Sequence, residues 1–456
     1  MADTICALAT AAVEAGIGII RLSGDNAVEL VSSFVRTKSG KQLNIQESHR
    51  VKYGFVCDGE QVVDEVLVLT MRGPRSYTGE DTVEIDCHGG ILMLRKILEI
   101  CVKNGARPAE PGEFTKRAFL NARIDLAEAE AVSELISARS EDGMKASLAQ
   151  LRGAVSEKIR HFRSILLEDD AYIEAALDDP EHISLDGFTE RLQENVKKIQ
   201  TGVRELLDTA EDGRILREGV RTVILGKPNA GKSSLLNALI GEDRAIVTSV
   251  AGTTRDTLEE QIQLRGVSLL LVDTAGIRET EDIVEKIGVE RAMQAAADAD
   301  LILYVVDASA PLNEDDVRIM EFIRGKKAIV LLNKMDLPAV VTQQLLEEKT
   351  GQPVLPVSMK NQEGLETLSD LVQTLFEHQK IHMNSEVIIT SARHTALLRN
   401  ADQALTDVLH SIEMGLPEDF YTIDLMRAYT ELGYILGEEV SEDLVNEIFS
   451  KFCMGK

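Results

Sequence analysis

Disulfide chemistry is missing from this sequence. Its five cysteines, Cys6, Cys57, Cys87, Cys101 and Cys453, form no CxxC pair and are odd in number. That pattern fits reduced thiols better than a disulfide framework. No run of 18 apolar residues occurs, so no membrane span is expected. No Lys or Arg precedes Arg21, and Asp3 comes before any apolar stretch. The beginning therefore does not read as a secretory signal, and a cytoplasmic location is expected. Basic residues are also scarce: 49 against 76 acidic ones, a formal net charge of -27. This balance argues against an electrostatic grip on bare nucleic acid or on an anionic membrane, so any nucleic-acid substrate has to be held locally or by a partner. Tryptophan is absent as well, which excludes nothing.

What is present is ordinary for a soluble globular chain, with 44% hydrophobic and 27% charged residues. At roughly 150 residues per domain, 456 residues predict about three domains. Residues 1–118 read as an α+β unit. Gly18 to Leu22 and Val62 to Met71 have strand character, Leu92 to Lys103 has helical apolar spacing, and Pro108 and Pro111 mark a boundary. Residues 119–217 read as the first part of a helical domain. Leu120, Ile124, Ala127, Ala131, Leu135 and Ala138 form one apolar stripe, Ile159, Phe162, Ile165 and Leu166 another, and a further helical pattern runs from Phe188 to Leu216. Residues 379–456 read as its second part. Between them, 218–378 alternates helices with the short apolar strands Val220 to Leu225, Ser268 to Val272, Leu301 to Val306, Ala328 to Leu332 and Val354 to Val357. That is the period of an α/β sheet. The expected architecture is a P-loop GTPase domain inserted in a helical domain and preceded by the α+β domain.

The GTPase reading comes from the residues between these strands. Gly226-Lys227-Pro228-Asn229-Ala230-Gly231-Lys232-Ser233-Ser234 follows a predicted strand and opens a helix. Glycines let backbone amides wrap a phosphate, and the helix amino terminus adds its field. Lys232 should reach the β and γ phosphates and Ser233 should ligate magnesium. Asp273-Thr274-Ala275-Gly276 ends a strand, where the aspartate can reach the magnesium shell through water and the glycine amide can meet a γ-phosphate. The loop Val247 to Asp256, with Thr248, Ser249, Val250, Ala251, Gly252, Thr253 and Thr254, lies between these two elements and can close on magnesium. In Asn333-Lys334-Met335-Asp336 the carboxylate of Asp336 accepts two N–H donors and so selects guanine. Asn333 braces it and Lys334 covers the ring, while Ser358 and Lys360 support the base from the other side. Ile277 stands where many GTPases carry a water-orienting glutamine. Arg255 and Arg278 are candidate charge donors, and Glu279, Glu281 and Glu285 are candidate water-orienting acids.

Three further stretches and the carboxyl terminus carry a resemblance. They are Ile17 to Gly24; Tyr77-Thr78-Gly79-Glu80-Asp81 through His88-Gly89-Gly90; Pro111-Gly112-Glu113-Phe114-Thr115 through Asn121; and Cys453-Met454-Gly455-Lys456. With the GTPase motifs they resemble, over essentially the whole chain, the bacterial tRNA modification GTPases called MnmE or TrmE. The resemblance implies an amino-terminal domain that binds a tetrahydrofolate derivative and forms a homodimer, with Arg21, Glu84, Arg123 and Lys456 at the folate-contacting positions. It also implies a role in C5 modification of wobble uridine 34, in a heterotetramer with an FAD- and NADH-using partner called MnmG or GidA, which brings the redox chemistry and most of the tRNA contact. In hydrolysis it implies that Glu285 positions water through a bridging water. Potassium would sit against Asn229, Thr248, Val250 and Thr253, and magnesium against Ser233 and Thr254. A regulatory GTPase of ribosome assembly is the competing reading. Such factors usually carry a recognisable RNA-binding domain, and none is found in this sequence.

Overall fold

The computed structural model describes residues 3–138, 140–241, 260–272, 293–377 and 387–455. The chain divides into two units. The first comprises Met1–Ser137, Ser147–Arg204 and Ala396–Lys456; the second comprises Ala138–Ala146 and Glu205–Thr395, so it interrupts the first in sequence.

The first unit is built around a seven-stranded sheet, β1 (Ile5–Leu8), β2 (Ala15–Ser23), β3 (Val35–Arg36), β4 (Arg50–Asp58), β5 (Gln61–Met71), β6 (Thr82–Gly89) and β7 (Arg107–Pro108), in the order β3-β4-β5-β6-β2-β1-β7. All neighbours pair antiparallel except β1 with β7. Strand alternation decides which residues enter the core. Ile20 and Leu22 of β2 and Val83 and Ile85 of β6 are buried in one cluster with Val28, Val31, Leu94 and Ile97 of the helices Ala27–Phe34 and Ile91–Lys103. The residues between them, Arg21 and Glu84, therefore lie on the opposite face. The segment after the second helix is an edge strand, β7, where Pro108 costs no ladder hydrogen bond.

The apolar stripe from Leu120 to Ala138 is interrupted. The helix Glu113–Leu120 ends before the left-handed Ala122 (φ 53°), and a new helix begins at Leu126. Leu120 is accordingly exposed. Ile159, Phe162 and Leu166 are buried on the long helix Ala154–Asp178, as their spacing predicts. The pattern Phe188 to Leu216 is two helices, Phe188–Asp208 and Ala210–Glu218, parted at Thr209, whose hydroxyl donates back to the Leu206 carbonyl. The carboxyl-terminal region forms the helices Ala392–Glu413, Asp419–Leu436 and Glu442–Ser450. Phe449 of the last of these and Phe452 just beyond it pack with Leu126 and Phe119, and the neighbouring Gly112 (φ 67°) would bring a Cβ to 2.6 Å from the Phe449 carbonyl. This packing brings the chain's final residues back to the sheet.

The second unit holds a six-stranded sheet, β8 (Val220–Leu225), β9 (Glu260–Leu264), β10 (Val267–Leu271), β11 (Leu301–Asp307), β12 (Ala328–Asn333) and β13 (Val354–Pro356), ordered β13-β12-β11-β8-β10-β9. Every pairing is parallel except β9 with β10. β11 and β12 are buried along their whole length, as a sheet covered on both faces requires. β9 is absent from the sequence reading. Its signal is the two-residue turn Arg265-Gly266, both at positive φ (46° and 86°), which joins two short strands into a hairpin.

Candidate functional site

In a parallel sheet the loops leaving the carboxyl ends of the strands hold ligands, and the predicted nucleotide residues emerge there. Gly226 follows β8 at φ 153°, and a Cβ on it would lie 2.5 Å from the Val305 carbonyl of β11. Gly231 (φ 107°) is tighter still: a Cβ there would meet Asn333 Nδ2 at 2.1 Å. The loop is closed by Lys232, the first residue of the helix Lys232–Gly241, whose ammonium donates to the carbonyls of Gly226 (2.7 Å) and Lys227 (2.9 Å). Asn229 is exposed, in a left-handed conformation at φ 61°. Ser233 and Ser234 are exposed at the start of the helix.

Asn333 ends β12 and is 2% exposed. Its Nδ2 donates to the Ala230 carbonyl at 2.9 Å, and its Oδ1 accepts the Met359 N–H at 3.1 Å, so one buried side chain ties the phosphate loop to the segment after β13. Asp336 accepts a hydrogen bond from the buried Ser358 hydroxyl at 3.0 Å and has Lys360 Nζ at 3.7 Å. Lys334, at φ 65°, donates to Asp307 Oδ2 at 2.6 Å. Asp307 also accepts from the N–H and hydroxyl of Ser309. Burial works against the Asp307 carboxylate, but Lys334 and Ser309 hold its pKa below the usual carboxylate range. The structure thus ties Ala230 and Gly231 to Asn333, Asn333 to Met359, and the neighbouring Ser358 to Asp336 and Lys360, while Lys232 closes the phosphate loop on itself and Asn229 stands exposed at its tip. Asp307, Lys227 and Asp316 were missed by sequence reasoning, and the only local signal was the Asn313-x-x-Asp316 capping pattern. Thr248, Ser249, Val250, Ala251, Gly252, Thr253, Thr254, Arg255, Asp273, Thr274, Ala275, Gly276, Ile277, Arg278, Glu279, Glu281 and Glu285 lie outside the described residues, as does Lys456.

In the first unit, the pairing of β2 with β6 sets Arg21 opposite Glu84. Their side chains meet at 2.7 Å, and Arg21 also donates to the Gly455 carbonyl at 3.2 Å and lies 5.8 Å from the Phe114 ring centroid. Gly455 (φ 82°) sits so close to β1 that a Cβ would fall 2.0 Å from the Leu8 carbonyl. Arg123 lies 5.6 Å from the Tyr77 ring centroid, and the Tyr77 hydroxyl bonds Thr115 at 2.9 Å. Burial pushes the Tyr77 phenol up, against the Thr115 hydrogen bond and the charges of Arg21 and Arg123. Each arginine thus lies against its own aromatic ring, Arg21 against Phe114 and Arg123 against Tyr77.

The three flanking motifs converge beneath this cluster. Ser23 bonds Thr78 (2.7 Å) and Glu80 (2.8 Å), and the buried Arg117 bonds Glu80 at 3.0 Å and the Asp3 carboxylate at 2.7 Å. Asn121 donates to the Thr78 carbonyl at 2.7 Å. In these motifs Thr78, Glu80 and Asn121 hold the Tyr77 loop in place. His88 stands exposed with Nδ1 at 2.7 Å from buried Asp64, a pairing that raises the histidine pKa. Cys453 is exposed, and its carbonyl accepts the Gly112 N–H at 3.4 Å.

Comparison with known proteins adds a different kind of finding. Residues 126–453 match the family model described as the MnmE helical domain, and residues 4–123 match that described as the GTP-binding protein TrmE N-terminus. A tRNA modification GTPase MnmE of Lachnoclostridium phytofermentans is 54% identical over 455 residues, covering 100% of this chain and 99% of the relative. The protein of that name from Clostridioides difficile is 45% identical over 456 residues, with coverage of 100% and 99%. The Bacillus subtilis protein of the same name is 45% identical over 458 residues, with coverage of 100% for both chains.

Proposed function

This chain belongs to the MnmE (TrmE) family of tRNA modification GTPases, and on that premise we propose that it is the GTP-hydrolysing component of the enzyme that modifies carbon 5 of wobble uridine. It acts as a homodimer with an FAD- and NADH-dependent partner of the MnmG (GidA) kind, and tRNA is held mainly by the complex. The net charge of -27 supports that division of labour. The cluster of Arg21, Glu84, Tyr77 and Arg123 around the returning carboxyl terminus carries this reading. A ribosome-assembly GTPase would leave that cluster without a role.

The donor set of the cluster suits a reduced folate. Glu84, Arg21 and Arg123 together offer the carboxylate and guanidinium groups that the N–H donors and carbonyl of a pterin ring and the carboxylates of a glutamyl tail call for. Lys456 would add a further cation. Bound folate supplies a one-carbon unit for the bridge between uracil and an amino donor. The protein's part is to orient it: the ion pair with Glu84 and the bond to Gly455 fix the Arg21 plane, and the packing of Gly455 on Leu8 fixes the tail. In the second unit, Lys232 and the loop amides grip the triphosphate and Asp336 reads guanine. Ser233 and Thr254 would hold magnesium; Asn229, Thr248, Val250 and Thr253 would hold potassium. Both ions would offset phosphate charge. Hydrolysis times conformational change in the complex and does not itself form the carbon bond.

Cells lacking this chain should accumulate tRNA with unmodified carbon 5 at the wobble uridine, and mass spectrometry of tRNA nucleosides measures this. Normal modification in such cells would refute the proposed reaction. Arg21→Ala and Arg123→Ala should each weaken reduced-folate binding by about tenfold or more, the scale of a lost charge-assisted hydrogen bond. GTP affinity should be nearly unchanged, because the two sites share no residue. Calorimetry reads both, and wild-type folate affinity in both variants would remove these arginines from the folate site.

A further inference from the structure

Lys227, the second residue of the phosphate loop, has no part in the chemistry assigned above, yet its ammonium is anchored. It donates to Asp316 Oδ2 at 3.0 Å and to the Pro311 carbonyl at 3.1 Å. Asp316 is 0% exposed and its oxygens are well occupied. Oδ1 accepts from the Tyr304 hydroxyl at 2.9 Å, and Oδ2 accepts from the Asn313 N–H at 3.0 Å as well as from Lys227. Asn313 returns the contact by accepting the Asp316 N–H at 3.0 Å, which completes a capping box on the helix Glu314–Phe322. Burial, together with the Asp316 charge, pushes the Tyr304 phenol far up, so it stays a donor. The cap and helix dipole favour a carboxylate here, but neither needs a lysine from 89 residues away.

A buried ion pair adds little net stability, because desolvation offsets the attraction, and breaking one partner is costly. Its value lies in fixing geometry. The phosphate loop is held at three points: Gly226 against the Val305 carbonyl, Lys227 by Asp316, and Ala230 by Asn333. Between the last two lie only Pro228 and Asn229, and Asn229 keeps a left-handed φ of 61°. Asparagine tolerates that region better than most residues, and the anchors on either side fix where the turn places it.

We propose that Asp316, acting through Lys227, is a positioning residue of the GTP site: it fixes the shoulder of the phosphate loop from which Asn229 projects, and so sets the fit of the loop to a nucleoside triphosphate. The inference rests on GTP hydrolysis alone and is independent of the folate and potassium assignments.

The test is steady-state GTP hydrolysis and thermal melting of the full-length protein carrying Asp316→Asn, Lys227→Met, both together, or Lys227→Arg. A loop displaced by a fraction of an ångström should cost roughly 10- to 100-fold in kcat/KM in each of the first two variants. The double variant should be no worse than the weaker single one, because both changes remove the same constraint. Lys227→Arg, which restores a cation for Asp316, should recover most of the rate. Lys227→Met should also lower Tm, because it leaves the buried Asp316 carboxylate without its cation, and adding Asp316→Asn should recover part of that Tm but none of the rate. Losses that multiply in the double variant would overturn the proposal. So would an unchanged rate in Lys227→Met, or a loss there far beyond that of Asp316→Asn, which would place Lys227 directly on phosphate. If Asp316→Asn does not fold, Asp316→Ser keeps an acceptor for the cap and takes its place in the cycle.

Discussion

Asp336→Asn should exchange GTP for XTP as the preferred nucleotide. Two hydrogen bonds from guanine to a carboxylate are each worth about 1.5–3 kcal/mol, so GTP affinity should fall by roughly 10²- to 10⁴-fold at 1.4 kcal/mol per decade. The surroundings determine the direction of the change. The Ser358 hydroxyl accepts the Asn361 N–H at 3.4 Å and donates to Asp336 Oδ1 at 3.0 Å, so its proton already points at residue 336. In the variant that proton should bind the new amide oxygen, leaving the NH₂ group toward the base. Guanine would present donors to a donor, whereas xanthine offers a carbonyl. Competition binding of GTP against XTP measures the switch. Adding Ser358→Ala should blunt it by freeing the amide to flip. Unchanged preference in Asp336→Asn would remove Asp336 from base recognition.

The second large effect is expected at Glu285, a residue outside the described set. Ile277 cannot orient water, so the water has to be positioned from elsewhere, and the family resemblance assigns that role to Glu285. Glu285→Ala should keep GTP binding, since the contacts of Lys232, Asn333 and Asp336 are untouched, and lose roughly 10²- to 10⁴-fold in turnover, the range for a positioned acid–base group. Wild-type protein in sodium should be slowed comparably relative to potassium, as the potassium requirement implied by the family resemblance predicts. Single-turnover assays of both proteins in both salts separate the two claims. Normal cleavage by Glu285→Ala would dismiss the acid, and equal wild-type rates in the two salts would dismiss the potassium requirement.

The fold was legible where local signals are strong. β8, β11, β12 and β13 begin at the residues that their apolar runs predict and end within one residue of them; for β11 and β12 the reason is that strands buried on both faces must be apolar throughout. The stripe from Leu120 misled, since periodicity records which residues could share a helix face, and a single positive φ at Ala122 is enough to end the helix. β9 escaped because five residues with two buried positions carry little pattern.

The sequence alone determined the local motifs whose parts are contiguous. The phosphate loop proposed for Gly226 to Ser233 and the guanine-reading run proposed for Asn333 to Asp336 would work through backbone amides, one lysine and one carboxylate at fixed local spacing, so their order on the chain is enough to suggest them. Tertiary structure decided what joins distant residues. Sheet register sets Arg21 against Glu84, and the packing of Phe449 and Phe452 returns Gly455 to that pair. Lys227 finds Asp316, and Lys334 finds Asp307. A side chain's charge is written in the sequence, but its partner is chosen by which strands neighbour one another and by the cost of leaving a buried charge uncompensated. Both are properties of the folded chain.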